Sequence, residues 1–397
     1  MRALQPQIIE LTEYNPHRLA QDRLPAQAGE TLWRNYGSQV AVEAPSFKTN
    51  HHWVLTAQGW VGHIPLTPEL HVVLRPRVEL NNLFRMLAYA YSLTSFRFLD
   101  GLVTSESLAE FYEQLAEVLA RRVLDRTRRG LYRAYLAESD HLPYVRGRLE
   151  ARRLGRLPGQ VMLPCHYHEH TADIEDNRIL AWTLYHITRT GICSERVLPA
   201  VRRAYRALQG LVEVTPFKPS ACVGRLYHRL NDDYQPLHAL SRFFLEQSGP
   251  GHRRGDRTML PFLVNMTRLY ELFVAEWLKA HLPPHLRLKV QEKVDIDAAG
   301  SLNFRIDLVL YDVATGLARC VLDTKYKTSE RPSTDDVSQV TTYAVAKNCP
   351  QAVLVYPAPL TRPLDETIGD IRVRSLTFAL DGDLERAGEA FMATLLP

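Results

Sequence analysis

The chain has 397 residues, of which 46% are hydrophobic and 23% charged, and a formal net charge of +4. That composition excludes a disordered or collagen-like chain, and the length exceeds one ordinary core, so two or three domains are expected. A charge so close to neutrality names no partner by itself, and no uncharged apolar run approaches the roughly 18 to 20 residues of a membrane helix.

Taken in chain order, residues 1–80 read as a β-rich domain of short strands and turns. Residues 40–42, 52–57, 60–64 and 71–74 are apolar or alternating, with Gly59, Pro65, Pro68 and Pro76 between them. The opening MRALQPQIIELTEY lacks the apolar core of a secretory signal. The five cysteines (Cys165, Cys193, Cys222, Cys320 and Cys349) are odd in number and scattered. Both features fit a reducing cytoplasm.

At Asn81 the period changes. NNLFRMLAYAYSL sets asparagines before an apolar helical stripe, and residues 108–135 continue at 3.6-residue spacing. Residues 143–149 and 161–170 lean towards strand, and helices resume at 176–190, 195–208 and 235–247. Residues 81–255 are thus expected to form a mainly helical middle domain with a β patch. SGPGHRRGDRT, at 248–258, is the best linker candidate, having four Gly or Pro residues and no apolar period. Only eight of the 48 basic residues are lysine. Arginines cluster at 121–129, 146–153, 201–206 and 252–257. Their forks suit phosphate oxygens, although solvated helix faces of an arginine-rich chain look the same.

The third segment, residues 256–397, reads as a long helix at 260–282, then strands at 286–296, 303–311 and 317–325. A helix at 334–347, strands at 352–356 and 371–377 and a final helix at 384–395 complete an α/β layer structure. Within it lies FRIDLVLYDVATGLARCVLDTKYK. Two apolar runs flank a short turn; the first carries Asp307 and the second ends in Asp323-Thr324-Lys325. Strand alternation puts Asp323 and Lys325 on one face and turns Thr324 away. A hairpin centred near Thr315 sets Asp307 opposite Asp323, with Cβ atoms roughly 4.5–5.5 Å apart. Two carboxylates at that spacing suit one hard cation.

Phosphodiester hydrolysis needs a cation to neutralise developing charge and to acidify an attacking water. Mg2+ takes one or two carboxylates and leaves positions for phosphate oxygens; Mn2+ is the alternative. Asp307 and Asp323 fit as metal ligands, the backbone carbonyl of Thr324 can add an oxygen, and Lys325 can orient the water or pair with the phosphate. Glu271, a charge inside an apolar helical stripe, is a further metal candidate or an ordinary solvent-facing glutamate. An amphipathic hairpin with solvated charges is the bland alternative, but a lone aspartate inside an apolar strand is costly without a partner. Gln339 and Tyr343 then lie one helical turn apart on the next helix. CHYHEH sets His166, His168 and His170 on one face of a strand, a spacing zinc uses, but no second ligand cluster follows. No G-x-S-x-G elbow supports acyl transfer.

Glu271, Asp307, Asp323-Thr324-Lys325 and Gln339-x-x-x-Tyr343 together resemble the PD-(D/E)xK nuclease superfamily, in its branch with a Q-x-x-x-Y helix. The resemblance narrows to the McrC family, nuclease subunits of methylcytosine-dependent restriction systems. It is carried by VVLRPRVELNNLFRMLAYAY, VRGRLE, EDNRILAWTL, LYELFV, RIDLVL and LDTKYK, spread over residues 72–345. One departure is Arg305-Ile306, where the superfamily often has a proline before the first aspartate. The resemblance implies an α+β multidomain chain ending in a nuclease domain, which cuts DNA with a McrB-like hexameric AAA+ GTPase. It also implies that residues 1–80 dock on that ring and stimulate its turnover. No G-x-x-x-x-G-K-[ST] phosphate loop is present, so the chain itself is not read as the motor. The rival expectations are an adaptor that regulates the motor without cutting, and a nuclease that needs no motor.

Overall fold

A computed structural model describes residues 7–91, 93, 107–149, 162–248, 252–254, 257–259, 261–295 and 303–396. It is a mixed α and β structure with several sheets. Contacts gather into two units, Met1–Phe111 with Gln247–Pro397, and Tyr112–Glu246. The first and last segments of the chain thus share a unit, where the sequence reading set boundaries near 80 and 255. No helix among the described residues is long and apolar enough to cross a membrane.

The chain opens with β1 (Gln7–Thr12), β2 (His17–Leu19), α1 (Ala26–Tyr36), β3 (Val40–Glu43), β4 (Trp53–Ala57), β5 (Trp60–Thr67), β6 (Leu70–Arg75) and α2 (Leu80–Ala90). Helix α1 corrects the all-strand reading of this region. Its residues Ala28, Leu32 and Tyr36 recur every four positions and all are buried, the stripe of an amphipathic helix. They pack with Ile9, Leu11, Leu55, Ile64 and Val72 from two small sheets. Strand β1, absent from the sequence reading, pairs in parallel with β6.

The second unit takes most of α3 (Leu108–Arg129), then β7 (Ala134–Leu142), β8 (Arg148–Leu149), β9 (Leu163–Thr171), α4 (Glu175–Thr190), α5 (Leu198–Gln209) and α6 (Tyr234–Glu246). Helix α3 stops at Arg129, and the positive-φ Gly130 follows it, so residues 134 and 135 start a strand rather than extend the helix. Asn177 and Arg178 anchor the first turn of α4. Asn177 Nδ2 donates to the Ala172 and Tyr132 carbonyls at 2.7 and 2.9 Å, and Arg178 forks onto Asp173 at 2.6 and 2.8 Å. The arginine cluster at 146–153 lies partly outside the described residues.

The chain returns to the first unit through β10 (His252–Arg254) and β11 (Arg257–Met259), an antiparallel pair within the stretch read as a linker; the rest of that stretch, apart from Ser248, lies outside the described residues. β12 (Phe262–Asn265) then joins the edge of β5, so the helix expected from residue 260 begins only at α7 (Met266–His281). There follow β13 (Leu286–Asp295), β14 (Asn303–Asp312), β15 (Ala318–Thr324), α8 (Thr334–Ala346), β16 (Gln351–Tyr356), β17 (Asp365–Ile368), β18 (Ile371–Thr377) and α9 (Leu384–Leu395). The six strands form one sheet in the order β13-β14-β15-β16-β18-β17. Its first three strands meander antiparallel, while β15, β16 and β18 run parallel. Helix α8 is the crossover from β15 to β16 that parallel strands require, and it starts with a capping box between Ser333 and Asp336. Helix α7 is apolar on nearly every face, and ten of its residues are buried; a helix of that kind belongs inside a core.

Candidate active site

Strands β14 and β15 pair through Leu308↔Leu322, Val309↔Val321 and Leu310↔Cys320. Just beyond the end of that ladder lie Asp307 on β14 and Asp323 on β15. Asp323 is 3% exposed. Its Oδ2 is buried and receives no well-aligned hydrogen bond, though Lys325 Nζ stands 2.6 Å away as an ion pair. Burial first, and then the negative charge of Asp307, push the Asp323 carboxyl up to about 6, with Lys325 opposing. Thr324, expected on the far face, instead donates to Asp307 Oδ2 from its amide at 3.1 Å and its hydroxyl at 3.2 Å. The β14–β15 ladder ends at Leu308↔Leu322, so beyond it that pairing no longer dictates the pleat.

Lys325 follows the last residue of β15 and is held from the neighbouring helix. Its ammonium donates to Gln339 Oε1 at 2.8 Å, and Gln339 Nε2 donates to the Tyr343 hydroxyl at 2.8 Å. These two residues are one turn apart on α8, which brings both to the same face. Asp336, one turn earlier, stands 3.7 Å from Lys325 Nζ and 2.5 Å from Lys327 Nζ. Burial is the largest single influence and pulls the Lys325 ammonium down, but Asp323 together with the charges of Asp336 and Asp307 outweighs it, and the net shift is upward. Lys325 is therefore a protonated cation inside a ring of acceptors.

Glu271 sits in the second turn of α7 and is 7% exposed. Its Oε1 accepts from Arg268 Nη1 at 2.7 Å and from Gln291 Nε2 at 2.5 Å. The same Gln291 amide reaches Asp307 Oδ1 at 3.3 Å. One side chain thus bridges Glu271 to Asp307. Burial, then the Asp307 charge, raise the Glu271 pKa, while Arg268 and Gln291 oppose the rise. Gln291 lies within β13 yet has φ +53°, a left-handed conformation that costs a non-glycine residue on the order of 1–3 kcal/mol. Backbone strain of this kind concentrates at functional sites.

The model of a family described as McrBC 5-methylcytosine restriction system component matches residues 55–357, well over half the chain. The chain belongs to this family. The McrC-family resemblance read from the sequence is borne out by that match. Among solved structures, this McrBC-family chain is similar to a chain of a Thermococcus gammatolerans assembly, described as a refined half-complex from a tetradecameric assembly of McrB AAA+ hexamers with bound McrC. The TM-score is 0.54 at 17% identity, over 98% of this chain and 99% of that one. A chain of the cryo-EM structure of the Thermococcus gammatolerans McrBC complex aligns at TM-score 0.43 and 18% identity, over 70% and 88% of the two chains. At 17% identity the first likeness is one of fold. No curated protein matches this chain.

In this McrBC-family chain the structure brings Asp307, Asp323, Thr324, Lys325, Gln339 and Tyr343 into one connected network, and joins Glu271 to it through Gln291. Sequence reasoning missed Gln291 and Asp336. Asp336 had a legible signal, since Ser333 three residues earlier completes a capping box. Gln291 had none, because nothing in VQEKV announces a positive φ. His166, His168 and His170 lie on β9 in the other unit. His166 Nδ1 stands 2.6 Å from the Ser139 hydroxyl, and His170 stacks on Tyr135.

Proposed function

We propose that this chain is the Mg2+-dependent DNA endonuclease subunit of a McrBC-like, modification-dependent restriction complex, built on a PD-(D/E)xK nuclease fold. One observation carries the reading: Lys325 Nζ lies 2.6 Å from a buried, raised-pKa Asp323 whose strand neighbour presents Asp307. Two carboxylates in a poorly solvated place repel each other, which is the arrangement a divalent cation relieves. Among the described residues no three His, Cys, Asp or Glu side chains form a ready cation cage. That donor set suits Mg2+ or Mn2+, which keep waters and accept phosphate oxygens, better than Zn2+, which wants four protein ligands in a structural site. The buried Asp323 Oδ2, ion-paired with Lys325 but accepting no well-aligned hydrogen bond, fits such an ion.

Asp307 and Asp323 would hold the cation with the Thr324 carbonyl as a further oxygen, while Glu271, set back behind the Gln291 bridge, would complete the shell through a water rather than as a third carboxylate ligand. When bound, Mg2+ supplies charge neutralisation at the phosphate and lowers the pKa of the attacking water. Lys325, fixed by Gln339, orients that water or pairs with the scissile phosphate, and Tyr343 fixes Gln339. The N-terminal β-rich region docks on a ring AAA+ GTPase and stimulates its turnover. This part of the reading is supported by the family, by the fold likeness to a chain from an assembly with McrB AAA+ hexamers, and by the lack of a phosphate loop in the sequence.

The test is cleavage of methylated and unmethylated plasmid in Mg2+, with and without a McrB-like ring GTPase. The methylated plasmid is expected to be cut only when the ring is present, and GTP turnover to rise on adding the chain. Asp323→Ala or Lys325→Ala is expected to slow cutting on the order of a thousandfold while ring binding persists. Undiminished cutting by the double variant removes the site assignment. Unchanged GTP turnover at saturating chain removes the docking role.

A further inference from the structure

Glu13 is wholly buried, at 0% exposure, and none of the chemistry above uses it. It follows β1, and its backbone is clamped by the last residue of β6 and the segment just after it. The Glu13 amide donates to the Arg75 carbonyl at 3.1 Å, and Arg77 Nε donates to the Glu13 carbonyl at 2.8 Å. Its Oε2 accepts from the Arg77 amide at 3.0 Å and from the Tyr326 hydroxyl at 3.1 Å. Its Oε1 is buried without a donor. An interior carboxylate left partly unsatisfied is expensive, and a packing role alone would be filled more cheaply by an apolar residue.

Tyr326 gives the burial a purpose. It follows Lys325 directly, is 8% exposed, and sets its ring against Tyr270, the residue before Glu271, with centroids 6.1 Å apart. A single hydroxyl thus ties the N-terminal sheet to the peptide that carries the ammonium. A second joint runs in parallel: β12 pairs with β5 through Asn265↔Trp60, the Met266 amide donates to the Gly59 carbonyl at 3.0 Å, and α7 starts there. Both segments that carry site residues at this side are therefore anchored on the same N-terminal sheet.

We propose that Glu13 is a positioning residue for Lys325, acting through Tyr326, and that the N-terminal sheet is thereby a working part of the nuclease site rather than only a docking platform. This rests on the nuclease reading above. Lys325 has a long stem and stands just past a strand end, so its aim depends on what fixes the following residue. A misplacement of about 1 Å in such a group costs up to roughly a hundredfold in rate.

The test uses the full chain with its ring GTPase and compares Tyr326→Phe, Glu13→Ala, Glu13→Gln and, as a control on the exposed strand β17, Glu366→Gln. Two readouts are taken: kcat and KM for plasmid cleavage, and hydrogen exchange of the amides at residues 323–327. Tyr326→Phe and Glu13→Ala are expected to lower kcat roughly ten- to a hundredfold with KM unchanged, and to speed exchange in that segment. Glu13→Gln keeps an acceptor for the tyrosine hydroxyl and is expected to recover most of the rate, while Glu366→Gln behaves as wild type. Wild-type kcat and exchange in Tyr326→Phe and Glu13→Ala overturn the proposal, as does a loss confined to KM or one that Glu13→Gln shares in full. The two failures separate cleanly. A wild-type chain that cuts no plasmid sinks the nuclease reading, whereas a cutting chain with an indifferent Tyr326→Phe sinks only the strut.

Discussion

Lys325 owes its position to three neighbours of different origin: Asp323 two residues earlier, Gln339 on α8, and Tyr326 immediately after it. Its Nζ bond to Gln339 Oε1, at 2.8 Å, involves a charged donor but an exposed acceptor residue, so it contributes at most about 1.5–3 kcal/mol. Gln339→Ala is accordingly expected to lower kcat for cleavage roughly ten- to a hundredfold. Tyr343→Phe, which removes only the bond that holds Gln339, is expected to cost less. Steady-state cleavage at saturating DNA measures both, and equal losses would show that Tyr343 acts directly. Asp307, Asp323 and Lys325 were legible as residues because strand alternation and turn position are local rules. Gln291 was not, since its bridging amide depends on a positive φ that no residue type in its neighbourhood demands.

At the scale of elements, the joint between β5 and β12 sets where α7 begins. The apolar run PFLVNM reads equally as helix or buried strand, and pairing with β5 settles it as strand up to Asn265, whose side chain then caps the helix by accepting from the Arg268 amide. Gly62 is what lets the two strands approach. It has φ +140°, and a Cβ there would lie 2.1 Å from the Phe262 carbonyl oxygen. Gly62→Ala is therefore expected to destabilise the chain by about 1–3 kcal/mol and to reduce cleavage, because displaced β12 carries the start of α7 and hence Glu271 with it. Urea midpoints read the first effect; an unchanged midpoint would mean the strands separate without cost. Helix α8, by contrast, announces itself through its capping box and came out within one residue of its expected span.

For the whole molecule, two buried titrating groups pull stability in opposite directions with pH. His63 lies 2.9 Å from His71, and burial, then the neighbouring imidazole, lower its pKa from 6.5 to about 4. The folded state thus binds this proton less readily than the unfolded chain. The stability it contributes is present above pH 6.5 and is lost as pH falls towards 4, with a ceiling on the order of 3 kcal/mol. Asp323 has the reverse sign: raised from 3.8 to about 6, its contribution is present below pH 4 and lost as pH rises through 6 in cation-free protein. His63→Gln removes the first without touching the second. Comparing urea midpoints of wild type and His63→Gln at pH 7.5 and 4.5 is expected to show the variant losing less stability on acidification. Equal losses would mean His63 titrates normally. Surface ion pairs such as Arg75–Glu10, at 2.6 Å with both partners about half exposed, add little to either limb.

By itself the sequence determined the hairpin turn, an aspartate on each of its two strands, the lysine at the strand end and the helix carrying Gln339 and Tyr343. All of these follow from periods of two and 3.6 and from turn chemistry, which act over a few residues. Only the tertiary structure decided that Glu271 meets Asp307 through Gln291, that β12 is a strand, and that Glu13 reaches Tyr326 across 313 positions. Those pairings are settled by which surfaces bury against each other, and that competition among distant segments leaves no local pattern in the chain.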